Sequence, residues 1–413
     1  MSFSILFKMQ YKQIILRKLN VAAQTLALLI LASIANMVSA QESANIQLPN
    51  DIVPKTFGQD AYSNTRGENL YDLGLTQQRA NEHEKAVNTL RQATHMVRVN
   101  SGLYSLLQLP IIEAEIESLM QLNLFEEVDI RQNYLRRVQA KSLVGNEKIA
   151  RGLIRQAEWQ NKAYHLGLDQ NDEEKLFRLV DMLNLYRVAL TNLEEELGEY
   201  SPTLLEPLHG ILKTQYLLTG LISKSIGVYE RNLSRFENDG ARAYRSQNYK
   251  QGKYVISAIY DLEKNTSKNP IQATQNSLTL LADWMLWNGK RGEAKRTYME
   301  ATRAGLTVTN EDFEETPVPA EIFPAPVPLP QLEGFKPLPD RVPEESANLL
   351  IGFDVTKTGR AVNVKRLDES ETENAVARKI IRLISKTRFR PRLELGEVVA
   401  TEGITYGFDT STW

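Results

Sequence analysis

Most of the chain carries the apolar spacing of α-helices. Between residues 67 and 305, apolar positions recur every three or four residues, and only four prolines interrupt the pattern: Pro110, Pro202, Pro207 and Pro270. The clearest stretch, 172–197, is about seven turns long. Eight apolar residues keep the helical period in it: Leu176, Leu179, Val180, Leu183, Tyr186, Ala189, Leu190 and Leu193. The pattern predicts a body of packed helices.

Two places in this body show a fixed spacing of small and large residues. The first set is Gly74, Ala86, Leu90 and Ala93, and the second, with the same intervals, is Ala282, Ala294, Tyr298 and Ala301. This spacing resembles the packing positions of the tetratricopeptide repeat. The resemblance implies an α-α helical solenoid, in which hairpins bury their apolar faces by stacking. A plain α-α bundle is the alternative fold.

The pattern changes to alternation near the C-terminus. Residues 350–355 and 361–367 read as two strands around a turn, 372–386 as an amphipathic helix, and 398–408 as a third strand. Ile351, Phe353 and Ile380 are predicted to meet in one interior. The fold class is therefore mainly α with a small α+β domain of β-β-α-β order.

About 60 residues of this C-terminal stretch resemble the C-terminal domain of TonB-type energy transducers. The motifs are Phe353-Asp354-Val355, Gly359, Asn363-Val364 and Arg388-Phe389-Arg390-Pro391. The resemblance implies capture of an outer-membrane transporter segment by strand addition. Two departures weaken the link to force transmission. No histidine precedes His83, and Pro343–Ala347 replaces the tyrosine-proline block expected ahead of the first strand.

A proline-rich stretch separates the two folded regions. Nine of the sixteen prolines fall between Pro317 and Pro343. Alternating proline favours extended polyproline geometry, so these residues could reach roughly 80 Å as a passive spacer. The domain boundaries follow: a signal peptide at 1–40, an extended lead-in at 41–66, helices at 67–305, a linker at 306–343 and the C-terminal domain at 344–413.

The first 40 residues have the layout of a secretory signal. Basic residues up to Lys18 precede an apolar core, Leu26–Ala35, and Val38-Ser39-Ala40 forms a small-residue cleavage site. Cleavage would leave Gln41 as the first residue of a periplasmic protein. The alternative is a retained helix that anchors the chain in the inner membrane, and only then would the chain contact a membrane.

Composition narrows the function classes. A formal net charge of −2 gives no overall attraction to nucleic acid, and the absence of cysteine removes thiolate chemistry and disulfides. None of the four histidines has a second ligand at a metal-binding interval, and no phosphate-binding or nucleophile motif is present. The sequence therefore predicts no catalytic residue, cofactor or metal. An envelope hydrolase without a known motif is a third hypothesis.

The candidate binding residues lie in the last domain. The predicted strand edge comprises Val399, Thr401, Gly403 and Thr405, and it is interpreted either as a docking edge or as a structural edge only. Arg378, Arg382 and Arg390 belong to a basic group that is interpreted either as a solvated face or as a contact for an acidic partner.

Together these features predict a non-catalytic, periplasmic protein-binding adaptor. Its C-terminal domain would dock an envelope protein or an outer-membrane transporter segment, and the helical groove would hold a peptide. The alternative is a membrane-anchored TonB-type energy transducer that powers outer-membrane transport. The mature N-terminus discriminates the two: Gln41 favours the adaptor, and a retained Met1 or Met9 favours the transducer.

Overall fold

The computed structural model describes residues 64–229, 235–306, 323–332, 337–368, 374–394 and 397–411, without the side chains of 64–65, 223–245, 305–306, 374 and 397. The predicted signal segment and nearly all of the lead-in lie outside these ranges. Ten helices precede the C-terminal domain in the described part: α1 Asn64–Arg79, α2 His83–Ser101, α3 Gln108–Gln121, α4 Phe125–Ser142, α5 Asn146–Leu166, α6 Asp172–Leu197, α7 Leu205–Tyr229, α8 Arg235–Thr266, α9 Pro270–Trp287 and α10 Arg291–Leu306.

Local chemistry sets several of these helix ends. Asn171 caps α6 by accepting a hydrogen bond from the Glu174 amide at 2.9 Å, and the Glu174 carboxylate accepts one from the Gln170 amide. At α9, Asn269 caps the helix in the same way, and Pro270 occupies the first helical position, where no amide is needed. Gly167, with a φ of 72°, ends α5 in the left-handed conformation.

Consecutive helices pack on each other as hairpins, which the short turns between them require. The two predicted sets of packing residues are buried: Ala86, Leu90, Ala93, Ala282 and Ala301 are fully enclosed. A Cβ on Gly74 would lie 2.6 Å from Leu90, so only glycine lets α1 approach α2 this closely. The predicted helical packing is confirmed at these positions. Among the described helices, none is long and apolar enough to cross a bilayer.

Ion pairs between layers add specificity to the stacking. The Glu115 carboxylate on α3 is fully buried and accepts from Arg91 on α2 at 2.9 Å and from Arg131 on α4. Arg178 on α6 contacts Asp129 at 3.1 Å and Asp169 at 2.8 Å. The pairs of Glu115 and of Asp129 join different helices, and Asp169 lies in the turn before α6. The loss of one partner would leave an uncompensated charge inside the array.

The C-terminal domain contains strands β2 Leu349–Val355, β3 Ala361–Arg366 and β7 Thr401–Phe408 in the order β3-β2-β7, with helix α11 Asn374–Lys386 on one face. Ile351, Phe353 and Ile380 share one buried cluster, as predicted. Gly359 has the positive φ expected in the hairpin turn, at 70°. The predicted class, mainly helical with a small α+β domain, is confirmed. Leu383 of α11 lies outside this interior and is 37% exposed.

The predicted third strand, 398–408, is wrong in its first part. The chain breaks at Ala400, and Glu397–Val399 forms a separate strand, β6, that pairs with β5 Arg392–Glu394. Val398 and Leu393 pack with helices α9 and α10 and not with the core of the C-terminal domain. The β5–β6 hairpin is thus an added element that reaches toward the helical array.

The proline-rich stretch does not behave as an extended spacer in its described part. Val327–Leu329 forms strand β1, which pairs antiparallel with β4 Arg388–Arg390. Phe323 and Leu329 are 5% and 1% exposed and share the cluster of α9 and α10. Proline is tolerated in β1 because, in the described structure, this strand pairs along one edge only, and the missing proline amide can face the other edge. The stretch therefore joins the array to the C-terminal domain.

Candidate partner-binding site

The C-terminal domain is fixed to the helical array by one buried carboxylate. Asp283 on α9, 1% exposed, accepts a hydrogen bond from Arg390 Nε at 2.9 Å and from the Arg390 Nη2 at 2.5 Å. Tyr298 on α10 donates its hydroxyl to the same carboxylate at 2.7 Å. Nearby, Arg388 Nη1 donates to the Leu286 carbonyl at 2.8 Å. These contacts form the junction between the array and the domain.

Electrostatics explain why this arginine stays charged although it is buried. Burial by itself lowers the pKa of the Arg390 guanidinium, but the Asp283 carboxylate more than offsets this, so the pKa is raised. Burial also raises the pKa of the Tyr298 hydroxyl well above its usual value, and the Asp283 charge adds to the increase. The cluster is therefore a neutral ion pair with a neutral tyrosine.

Arg390 was placed in a basic surface group, as a solvated residue or as a partner contact, but its side chain is only 13% exposed and faces the array. The reason lies in the tertiary structure. Strand β4 lies between β1 and the surface of α9, so its arginines point into the junction. Asp283 was missed by the sequence reasoning. The sequence did contain a signal for it, because Asp283 is the single acidic residue within the apolar run Leu280–Trp287. A carboxylate that is buried in such a run needs a cation as its partner.

A cavity of about 490 Å³ opens beside the junction. One stripe of α9 lines it with Gln272, Asn276, Thr279 and Asp283, spaced three or four residues apart. Glu263 from α8 lies opposite, and burial raises the pKa of its carboxyl. The lining therefore includes side-chain amides, which can both donate and accept hydrogen bonds. We call this cavity the junction groove.

The outer edge of β7 lies on another side of the domain. The Gly407 carbonyl accepts a hydrogen bond from the Val342 amide at 3.0 Å, on the side of β7 that faces away from β2. Because outward and inward groups alternate along an antiparallel strand, the backbone of Thr405 points the same way as that of Gly407. Thr405 borders a second cavity of about 570 Å³. This residue is the best-placed candidate for pairing with an added strand.

The other predicted edge residues are engaged within the protein. Thr401 is registered opposite Val355, beyond a register shift in the β2–β7 ladder, so the alternation that turns Thr405 outward does not extend to it. The Gly403 amide donates to Asp354 Oδ1 at 2.9 Å. Val399 pairs with Arg392 in the β5–β6 hairpin. The usable part of the edge is therefore shorter than predicted and centres on Thr405.

The other two predicted arginines remain on the surface. Arg378 and Arg382 are exposed on α11, one turn apart, together with Lys379 and Lys386. They form a basic face that is separate from the buried Arg390. Among the described residues, no group of three or more His, Cys, Asp or Glu side chains could hold a metal ion.

The chain is similar in structure to helical-repeat proteins of low identity. A protein from Podosopora anserina described as a kinesin light chain with nearly identical TPR-like repeats has 14% identity and a TM-score of 0.37, and the match covers 60% of this chain and 99% of that one. BtubC from P. vanneervenii has 12% identity and a TM-score of 0.33, with 62% and 85% covered. No protein-family model and no curated protein matches the sequence. Because these TM-scores are below 0.5, the arrangement of the array rests on its own contacts.

Proposed function

We propose that this chain is a non-catalytic protein-binding adaptor of the bacterial cell envelope, exported to the periplasm. Its C-terminal domain, of TonB type, docks a segment of an envelope protein by adding it as a strand to the outer edge of β7. An outer-membrane transporter segment is the proposed partner class.

One observation carries this proposal. The outer side of β7 already accepts one backbone hydrogen bond from the chain itself, at an isolated bridge between Val342 and Gly407. Two residues earlier in β7, Thr405 has the same orientation and borders a cavity that residues 337–344 also line. An incoming segment could continue the same ladder, with main-chain hydrogen bonds supplying affinity and alternate side chains supplying selectivity.

The junction supports a role for the helical array as well. Because Asp283 and Arg390 hold the domain on the last helical pair, a segment bound at β7 and a peptide in the junction groove would be held on one body. This arrangement suits an adaptor that brings two polypeptides together. An energy transducer would instead require a retained N-terminal anchor.

The test uses a photo-crosslinking amino acid at Glu402, an exposed residue of β7, in living cells. We expect a crosslink to an envelope protein, with the crosslinked peptide mapped by mass spectrometry to an extended segment. Thr405→Pro removes the outward amide and should abolish this crosslink, whereas Thr405→Ser keeps the amide and should preserve it. An equal crosslink in all three chains, with unchanged circular dichroism, would refute strand addition at β7.

The compartment is tested separately. Mass spectrometry of the mature chain should find Gln41 at the N-terminus, in the periplasmic fraction. Retention of Met1 or Met9 in the membrane fraction would instead support the anchored transducer.

A further inference from the structure

Residues 337–344, which come just before β2 in the chain, lie along the outer side of β7. Together with Thr405, Tyr406 and Gly407 they line the cavity of about 570 Å³ beside this edge. We call residues 337–344 the cover segment. A strand added to β7 at Thr405 would therefore have to enter the space between β7 and the cover segment.

Three contacts of different kinds hold the cover segment on the C-terminal domain. The Val342 amide donates to the Gly407 carbonyl at 3.0 Å. The guanidinium of Arg341 lies 4.4 Å from the centre of the Tyr406 ring, which is a cation–π distance. Leu338 is 7% exposed and belongs to the same buried cluster as Tyr406. The segment is thus anchored in the core at its start, while polar and ring contacts hold its later part against the strand edge.

The cover segment does not pair with β7 as a regular strand. The antiparallel bridge joins Val342 to Gly407, so a continued ladder would place Glu344 opposite Thr405. Instead, a turn of 3-10 helix begins at Glu344, directly after Pro343, and its backbone does not have the extended conformation that pairing requires. The cover segment therefore holds Gly407 and leaves Thr405 beside the cavity.

The part of the β7 edge between the occupied positions is short. Toward the start of β7 the regular ladder ends at a register shift, and the Gly403 amide there donates to Asp354 Oδ1 at 2.9 Å. Toward the end of β7, Val342 holds the Gly407 carbonyl. An added strand would therefore form its first pair of main-chain hydrogen bonds at Thr405, and the release of Gly407 would provide a second pair.

We propose that the cover segment is autoinhibitory: it occupies the end of the β7 edge and has to be displaced before a partner strand pairs with both Thr405 and Gly407. This inference rests on the proposed strand addition at β7. One hydrogen bond and one cation–π contact favour the closed state on the order of tenfold. The apparent affinity for a partner is lowered by the same factor, because only the open fraction can bind it fully. Leu338 keeps the displaced segment attached to the domain.

Hydrogen exchange of the unbound chain tests the closed state without a partner. Three of the eight residues of the cover segment are prolines, so few amides report on it and mass spectrometry can resolve that of Val342. We expect this amide to exchange on the order of tenfold more slowly than in the unfolded chain, but faster than the β7 amides that face β2. Exchange at the unfolded rate, or exchange as slow as that of the β7 ladder, would overturn the proposal.

The inhibition itself is tested with the photo-crosslinker at Glu402, at expression levels that leave most of the parent chain uncrosslinked. Val342→Pro removes the amide that bonds Gly407 and should raise the crosslink yield about three- to tenfold. Val342→Ala keeps this amide and is the matched control, with a yield near that of the parent chain. Arg341→Ala removes the ring contact at an exposed position and should also raise the yield.

The outcomes separate this inference from the proposed function. Equal crosslinks in the parent, Val342→Pro and Arg341→Ala chains would leave strand addition standing and overturn the autoinhibition. A lower yield in both variants would show that the cover segment supports the added strand, and would overturn it too. The absence of a crosslink in every chain would refute strand addition and this inference together. Circular dichroism verifies the fold of each variant, and Arg341→Ala decides the matter if Val342→Pro does not fold.

Discussion

The C-terminal domain has two faces that the sequence does not distinguish but the fold does. On the docked face, Arg390 and the β5–β6 hairpin pack against α9 and α10. On the free face, Arg382 is exposed, and Thr405 on the outer edge of β7 is half-buried beside a cavity. Arginines of equal chemistry therefore have opposite roles, because one is enclosed with a carboxylate and the other is solvated. A basic residue in a small domain is thus a binding residue only after its neighbours are known.

The substitution with the largest expected effect tests whether the docked face contributes more to the free energy of unfolding than the free face does. Asp283→Ala leaves the buried Arg390 charge without its partner and should lower the free energy of unfolding by about 3–5 kcal/mol. Urea denaturation followed by tryptophan fluorescence measures this, since Trp284 and Trp287 adjoin Asp283. Arg382→Ala is the matched control and should change the value by less than about 0.5 kcal/mol. Equal effects of the two substitutions would remove the distinction between the faces.

The next prediction concerns the proline-rich stretch that joins the docked face to the array. Leu329→Ala removes a side chain that is 1% exposed and should cost about 2–5 kcal/mol. Val362→Ala, on the free face and 38% exposed, is the control and should cost much less. Thermal or urea unfolding compares them. If Leu329→Ala is neutral, the stretch is a passive spacer after all.

The substitution with the smallest expected effect concerns a hydrogen bond on the free face. Asn363 donates to Asp354 Oδ2 at 2.6 Å, and this contact, followed by the Gly403 amide, lowers the pKa of the Asp354 carboxyl. The pKa of this carboxyl is lower in the folded protein than in the unfolded chain, where it is about 3.9. Its ionised form therefore stabilises the fold at pH values above the unfolded pKa, and this stabilisation is lost as the pH falls through the folded pKa. Asn363→Ala should therefore raise the pKa of Asp354 toward its ordinary value.

An NMR titration of the side-chain carboxyls measures this change. Asp409, whose pKa is lowered by Ser411 and not by Asn363, is the internal control and should keep its value. An unchanged pKa at Asp354 would mean that Asn363 does not hold this carboxylate.

Periodicity predicted the elements well because each depends on its own residues. The helices of the array, the hairpin around Gly359 and the shared interior of Ile351, Phe353 and Ile380 all follow from apolar spacing and turn chemistry. The third strand was misassigned because 398–408 alternates apart from Glu402, and one polar residue on the apolar face does not reveal that the strand is divided. Its break at Ala400 depends on β6 pairing with β5, which is a contact outside the strand.

Docking at the edge of β7 stays a prediction. Thr401 and Gly403 were included in that edge because sequence cannot show the register shift before Thr401 or the hydrogen bond from Gly403 to Asp354. The exposure of Leu103, Leu106 and Leu107 was not anticipated either, since leucines in helical sequence give no sign of which ones remain uncovered.

The sequence by itself determined the local elements, the order of the regions and the apolar faces, because hydrophobic spacing and backbone preferences act over a few residues. Tertiary structure alone decided which surfaces remain open. Asp283 and Arg390 lie 107 residues apart, and their pairing depends on the path of the chain between them. That pairing, which encloses a charge and docks a domain, is a property of the folded molecule and of no segment within it.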